Sequence, residues 1–251
     1  MYKTLRAIGF WGLFTILTPL AAAAQQDIAL VYKLMNDASA IVTPAAAAQP
    51  LHPARLGELL RGGDLIVTSS NTRAAIRFTD DGSILRLNPS SKLQVRAEGD
   101  RNNITKTLEL EFGELWAKVN HREGSQFRVQ TPAGVAAVKG TEFIVRVDEN
   151  GATSILTLQG VVEFFNRGGT TEVRGGRRTQ VSNQDQAPTS QATREEDLAP
   201  YKALINEEGG AGSKEEGVEI EVLLQDANGQ TRSVIMVVPR RALRSLLEGG
   251  K

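Results

Sequence analysis

The sequence contains no cysteine. That excludes a disulfide framework, a thiolate metal site, a cysteine nucleophile and a lipid anchor attached through cysteine. Aromatic residues make up only 5% of the chain, so the core is expected to be aliphatic. There are two histidines, His52 and His121, and neither has a second histidine or a carboxylate at a metal-like spacing. Net charge is absent too: 29 Lys and Arg balance 29 Asp and Glu, a balance that does not invite nucleic acid. No G-x-S-x-G elbow, no phosphate-cradling glycine loop before Lys-Ser/Thr and no H-E-x-x-H occurs. The expectation is a non-catalytic protein with no cofactor and no metal.

What is present points to an exported β protein. The 251 residues, 41% hydrophobic and containing 24 glycines, suit one turn-rich all-β domain with appendages. Residues 1–24 read as a cleavable signal: Lys3 and Arg6, an apolar run from Ala7 to Leu20, then Ala21 to Ala24. The alternative is a transmembrane anchor, but the run falls short of the roughly 20 apolar residues that spanning requires. The expected location is periplasmic or secreted, and not membrane-spanning after cleavage. Residues 25–50 read as an N-terminal segment or linker, with Asp27 to Met35 as one short element. Residues 51–182 read as the main β-domain.

Within that domain the apolar residues alternate. Ala74, Ile76 and Phe78 share a face, Asp80-Asp81-Gly82-Ser83 reverses the chain, and Leu85 and Leu87 return. The two aspartates are expected to serve the turn rather than a cation, since the alternate-position ligands of a calcium loop are missing. Leu108, Leu110 and Phe112 alternate with Glu109 and Glu111, and after Gly113 the apolar parity moves to Leu115, Ala117 and Val119. A bulge or corner at Gly113 keeps both halves facing the core. Trp116 and Lys118 then fall on the opposite face. They are the candidate binding surface, unless a neighbouring loop covers the indole.

Thr131 to Val147, TPAGVAAVKGTEFIVRV, reads as two strands meeting at Lys139-Gly140-Thr141, with one greasy and one mostly polar face. Four groups of residues in order carry a family resemblance. They are Gly57 and Gly63-Asp64 with Thr68; Arg73-Ala74 through Phe78 to Asp81-Gly82-Ser83 and Leu87; the central Thr131, Pro132, Gly134, Lys139, Gly140, Thr141 and Phe143; and Gly113 with Gly160-Val161-Val162 on either side of it. This pattern resembles the FecR-like domain family, found in periplasmic parts of iron-responsive anti-sigma regulators and in stand-alone envelope proteins. Lys139 stands where the family usually has Arg. The resemblance implies stacked short strands in a β-sandwich, jelly-roll or short β-solenoid, with corners at Gly113, Gly140 and Gly160. It also implies a stand-alone form without the cytoplasmic anti-sigma segment, acting as a sensor, adaptor or scaffold. The implied partner is an envelope protein: an outer-membrane receptor, a secretin or another periplasmic component.

Two other readings remain open. Exposed aromatics around Trp116 would favour a cell-wall or carbohydrate-binding module. A pair of buried carboxylates among Glu109, Glu111, Glu142 and Glu163 would favour a glycoside-type hydrolase.

Composition shifts at Asn183. Residues 183–216 read as a polar linker, with a capping box at Thr193 and Glu196 opening a brief helix before Pro200. Arg174, Arg177 and Arg178 read as a solvated edge. Residues 217–251 read as a β-hairpin turning at Asn228-Gly229, which sets Val222 opposite Ile235 and Ile220 opposite Val237, followed by a short helix.

Overall fold

The computed structural model describes residues 27–35, 40–45, 50–99, 103–201, 217–225 and 231–239. The expected signal and the C-terminal helix lie outside these residues. Strands β1 (Asp27–Met35), β2 (Ile41–Thr43), β3 (His52–Pro53), β4 (Leu59–Arg61) and β5 (Leu65–Val67) come first. β6 (Arg73–Phe78), β7 (Ile84–Leu87), β8 (Lys92–Gly99), β9 (Ile104–Lys118), β10 (Gln126–Thr131) and β11 (Gly134–Val138) follow. β12 (Glu142–Val147), β13 (Thr153–Gln159), β14 (Val161–Asn166), β15 (Gly169–Arg174), β16 (Arg177–Val181) and β17 (Gln191–Ala192) complete the body.

These strands form two sheets that share β9. The first runs β4-β1-β6-β7-β9-β12-β13-β16-β17 and is antiparallel throughout. The second runs β3-β2-β5-β8-β9-β10-β11-β14-β15, with a parallel pairing between β9 and β10. The chain alternates hairpins between them: β10-β11 in the second, β12-β13 in the first, β14-β15 in the second.

Strand β9 shows how the sequence produces this. Residues 104–112 pair with β8 in the second sheet, and residues 113–118 pair with β7 and β12 in the first. The change falls at Gly113, which has φ +101°; a Cβ there would lie 2.1 Å from the Ser91 hydroxyl oxygen. Only glycine lets the strand bend against Ser91, and the bend turns both apolar sets inward. Leu108, Leu110, Leu115, Ala117 and Val119 all enter one core. Phe78 of the first sheet meets Phe127 of the second edge to face, centroids 5.6 Å apart, which locates that core between the sheets. Each such fully buried side chain contributes on the order of 1.5–3 kcal/mol.

Several expectations require correction. Residues 25–50 contain no simple leader to the domain, because β1 lies inside the first sheet between β4 and β6. The supposed linker after 183 belongs to the body as far as Tyr201. β17 pairs with β16, helix α1 (Glu195–Leu198) follows, and a 3-10 turn (Ala199–Tyr201) brings Tyr201 into a buried position. The helix cap is Arg194, whose backbone N–H donates to Asp197 at 2.8 Å, one position beyond the expected Thr193–Glu196 box. The second face of β12, polar at Glu142 and Arg146, is nonetheless covered at Ile144, which is buried in a small cluster with Trp116, Leu156 and Tyr201.

β18 (Gly217–Gln225) and β19 (Thr231–Pro239) form a separate hairpin, as the alternation implies. The register differs by one residue: Val222 faces Val234 and Ile220 faces Met236. Gln225 opposite Thr231 leaves an odd number of residues between the paired ends, whereas a two-residue turn leaves an even number. Val218, Ile220 and Val222 still oppose apolar residues, whereas Val237 and Ile235 now oppose Glu219 and Glu221.

Candidate functional site

The residues of the sequence motif are brought together as fasteners of the chain's corners. Asp64 accepts backbone N–H groups from Ala45 at 2.9 Å and Arg61 at 2.8 Å. Thr68 donates to the Asn88 carbonyl at 2.6 Å and accepts the Ser91 N–H at 3.0 Å. Thr131 donates to the Gly134 carbonyl at 2.9 Å, across the turn containing Pro132, and accepts from the Thr153 hydroxyl at 3.0 Å. Thr141 donates to the Val161 carbonyl at 3.0 Å. Gly160, at φ +85°, packs so closely that a Cβ would lie 2.8 Å from the Gly140 carbonyl oxygen. The two crossings between sheets, at Lys139-Gly140 and at Gly160, are thus stapled to each other. Asp64, Thr68, Thr131 and Thr141 are all buried, so their polar atoms hold the scaffold rather than face a ligand.

Asp81 and Gly82 sit in the β6-β7 turn, where Asp81 also accepts the Ser83 N–H at 2.8 Å. Asp80 and Asp81 have a second role that the sequence reading missed. Lys106, only 1% exposed, places its ammonium 2.8 Å from Asp80, 2.5 Å from Asp81 and 4.7 Å from the Phe78 ring centroid. The signal was available: Lys106 shares the inward parity of Ile104, Leu108 and Leu110. The cluster ties the second sheet to the turn of the first.

Trp116 is not a contact platform. It is fully buried on the outer face of the first sheet, under Leu198 and Tyr201. Its indole N–H donates to Glu142 at 3.2 Å, and the Arg86 guanidinium stacks 4.3 Å from the ring centroid. Lys118 is half-buried, lined up between Ile84 and Glu142 in the register. Exclusion of water beside this cluster raises the Glu114 carboxyl above its ordinary value; Asn88 donating to it and the charges of Arg146 and Arg73 oppose that shift. Burial also raises the Tyr201 phenol, assisted by the Glu114 charge. Arg178 closes the cover with an ion pair to Asp197 at 3.1 Å.

The carboxylates singled out for catalysis are dispersed. Glu109 pairs with Arg96 at 3.2 Å and Glu111 with Lys92 at 2.5 Å, beside a groove of about 360 Å³ on the second sheet. Glu142 holds the Trp116 indole. Glu163 is exposed on β14. His52 lies 3.4 Å from Glu58, and His121 sits in a different loop, against Gly140.

Exposed large apolar residues lie elsewhere: Ile41, Leu51 and Leu56 toward the start of the body, and two more on β14. On the outer face of the second sheet, Val161 and Phe165 of β14 are 38% and 37% exposed. The register sets Phe165 beside half-buried Val135 of β11, and Glu163 beside Ala137. Glu163 lies between Val161 and Phe165 on this face, with Glu172 beside it and Arg174 beside Val161, the last two as an ion pair at 2.6 Å. β15 closes the sheet, but its first end is covered: Gly168 donates its N–H to the Gln184 carbonyl at 3.1 Å.

Residues 64–163 match the family model described as FecR protein. That segment is a FecR domain. No curated protein matches the chain. Two solved structures align with it, both of a candidate anti-sigma factor from Parabacteroides distasonis. One aligns at 15% identity over 74% of this chain and 91% of its own, with TM-score 0.48; the other at 15% over 73% and 89%, with TM-score 0.46.

The matched segment spans β5 to the middle of β14 and includes Asp64, Thr68, Thr131, Thr141 and the Gly140 and Gly160 crossings. The folded body extends beyond it. β1 and β4 on one side and β15 to β17 on the other are hydrogen-bonded into the same two sheets, so the sandwich is larger than the matched segment. The strap ending at Tyr201, which covers Trp116, also lies outside the match.

Proposed function

We propose that this protein is an exported FecR-type sensor or adaptor module that works without catalysis, by holding another envelope protein against the outer face of its second sheet. The observation that carries this is Val161 and Phe165, large apolar residues exposed on one face of β14 with Glu163 between them, with Val135 beside Phe165 and Ala137 beside Glu163. Exposed apolar side chains interspersed with charged ones on a sheet face are a composition that protein contact sites use. The covered start of β15 favours docking on the face over addition of a strand at the edge. The partner presents an apolar segment flanked by a positive charge for Glu163.

The competing readings lack comparable support. A carbohydrate module centred on Trp116 has no platform, because the indole is buried under the Tyr201 strap. A hydrolase needs a converging carboxylate pair, whereas Glu109 and Glu111 are each engaged by a cation. Export is supported by the basic, apolar and small-residue order of residues 1–24. Among the described residues, no helix is long and apolar enough to cross a membrane.

The test is capture from cell-envelope extracts with wild type and with Val161→Glu/Phe165→Glu. Both changed residues are already exposed, so the fold is expected to survive, as circular dichroism would check. Loss of the captured protein supports the reading; equal capture by the double variant overturns it.

A further inference from the structure

The cluster around Lys106 carries chemistry that partner docking on the second sheet does not use. Lys106 of β9 and Asp81 of the β6-β7 turn lie 25 residues apart in the chain and meet inside the sandwich. The Lys106 Nζ donates to Asp81 Oδ2 at 2.5 Å, and Asp80 Oδ1 lies 2.8 Å from the same nitrogen. The Lys106 side chain is 1% exposed, that of Asp81 5% and that of Asp80 16%. The Phe78 ring stands 4.7 Å from Nζ, and buried Phe127 packs edge to face against Phe78. An amine and a carboxyl group are thus held in contact with bulk water excluded.

The surrounding groups fit a reaction between them. Asp81 Oδ1 accepts the Ser83 N–H at 2.8 Å, so one carboxyl oxygen sits on a backbone donor and the other on the amine. The Asn120 side chain fixes the turn by donating to the Asp81 main-chain carbonyl at 2.9 Å. Asp80 Oδ1 is buried and makes no aligned hydrogen bond among the described residues, which leaves it open to a proton from the nitrogen beside it. Its other oxygen lies 3.4 Å from the Arg122 guanidinium. The Gly82 N–H, the group that would close an imide ring on Asp81, is taken by the Phe78 carbonyl at 3.1 Å. Beside Asp81 and Lys106 a cavity of about 10 Å³ extends to Asn120 and Arg122, about the space of one water.

We propose that Lys106 and Asp81 condense to an intramolecular isopeptide bond, with Asp80 as the proton carrier. Asp80 takes one proton from the Lys106 ammonium and delivers it to Asp81 Oδ2. The neutral amine attacks Asp81 Cγ, and the charge that develops on Oδ1 is met by the Ser83 N–H. Asp80 then carries a second proton from the nitrogen to the Oδ2 hydroxyl, which leaves as water when the Cγ–Oδ2 bond breaks. Two nitrogen protons and one carboxylate oxygen make the water, a secondary amide remains, and nothing is oxidised or reduced. Groups oriented in this way reach effective molarities of about 10⁵–10⁸ M, which drives a condensation that free amines and carboxylates do not undergo in water. The product replaces a buried ammonium and carboxylate, each costly to desolvate, by a neutral amide. The ion-paired cluster is the precursor, and the energetics of substitutions within it refer to that unreacted form. The bond fastens β9 to the β6-β7 turn and stands or falls independently of the surface on β14.

The experiment is tryptic peptide mapping by mass spectrometry on the folded, purified full chain. The expected product joins residues 78–86 to residues 102–118, at the summed mass less one water, with no cleavage after Lys106. Lys106→Arg keeps the charge and Asp81→Ala removes the electrophile; each should leave the peptides separate. Asp80→Asn retains both reacting groups and should also leave them separate, because losing a general acid–base group slows a reaction by about 10²–10⁴-fold. Circular dichroism checks that each variant is folded. Separate peptides from the folded wild type would overturn the proposal. So would a loss of water that persists in Lys106→Arg, since that places it in an imide at Asp81-Gly82. Joining at the wild-type level in Asp80→Asn would overturn the part assigned to Asp80.

Discussion

Replacing Gly160 by alanine imposes two costs on the sandwich. The first is backbone conformation: at φ +85° a side-chain-bearing residue sits in the left-handed region, at about 1–2 kcal/mol. The second is steric. The new methyl would lie 2.8 Å from the Gly140 carbonyl oxygen, 3.0 Å from the Thr141 hydroxyl and 3.1 Å from the Thr141 Cα. Two of those three atoms are backbone, so relief requires the two crossings to move apart, which stretches the Thr141–Val161 hydrogen bond. Overpacking of this kind costs about 1–3 kcal/mol, for a combined loss of about 3 kcal/mol. Gly176 is the matched control, because it has φ +76° and nothing within 4 Å of its ideal Cβ. Gly176→Ala should cost only the conformational part, about 1 kcal/mol. For a body of this size the two translate into Tm decreases of about 6–12 °C and about 2–4 °C, measurable by thermal unfolding under circular dichroism. Equal shifts for the two variants would refute the claim that the Gly140 and Gly160 corners are locked against each other.

Further outcomes follow from the same structure. Lys106→Met should destabilise the protein by about 3–5 kcal/mol in urea unfolding, because Asp80 and Asp81 lose their buried cation; adding Asp80→Asn and Asp81→Asn should recover much of it. Glu114 is raised in the folded state by burial, so the folded chain holds that proton more tightly than the unfolded chain. Stability should therefore fall as the pH rises from the ordinary glutamate value of 4.5 through the folded one, and Glu114→Gln should flatten that slope in urea midpoints taken across the interval. Tyr201→Ala should uncover Trp116, the sole tryptophan from residue 25 onward, giving red-shifted emission and stronger iodide quenching with the secondary structure retained.

The strands and their corners were legible because both depend on short-range pattern. The parity change across Gly113 can be satisfied only by turning the strand, and the turn proved to be the transfer of β9 from one sheet to the other. The glycines at 140 and 160 were recognisable as corners for the same reason, although their contact with each other was not, since 20 residues separate them. Lys106 could be assigned inward by parity alone, but a cation on an apolar face reads as an exception until the aspartates beneath it are seen. Trp116 was correctly placed on the outer face. What covers it arrives more than 80 residues later, in a stretch whose Gln, Glu and Ser content resembles a linker. That stretch is held by Tyr201, the Arg178–Asp197 pair and backbone bonds to β16, none of which leaves a periodic trace.

The most direct measurement is site-specific photocrosslinking in intact cells, with the reactive group placed at Phe165 and, as a control on the same sheet, at exposed Arg128 of β10. Attachment of a distinct protein from position 165 and not from 128 is the predicted result. Equal labelling from both positions, or recovery of glycan without protein, would contradict the assignment of the β11-β14 face as the surface through which this FecR domain acts.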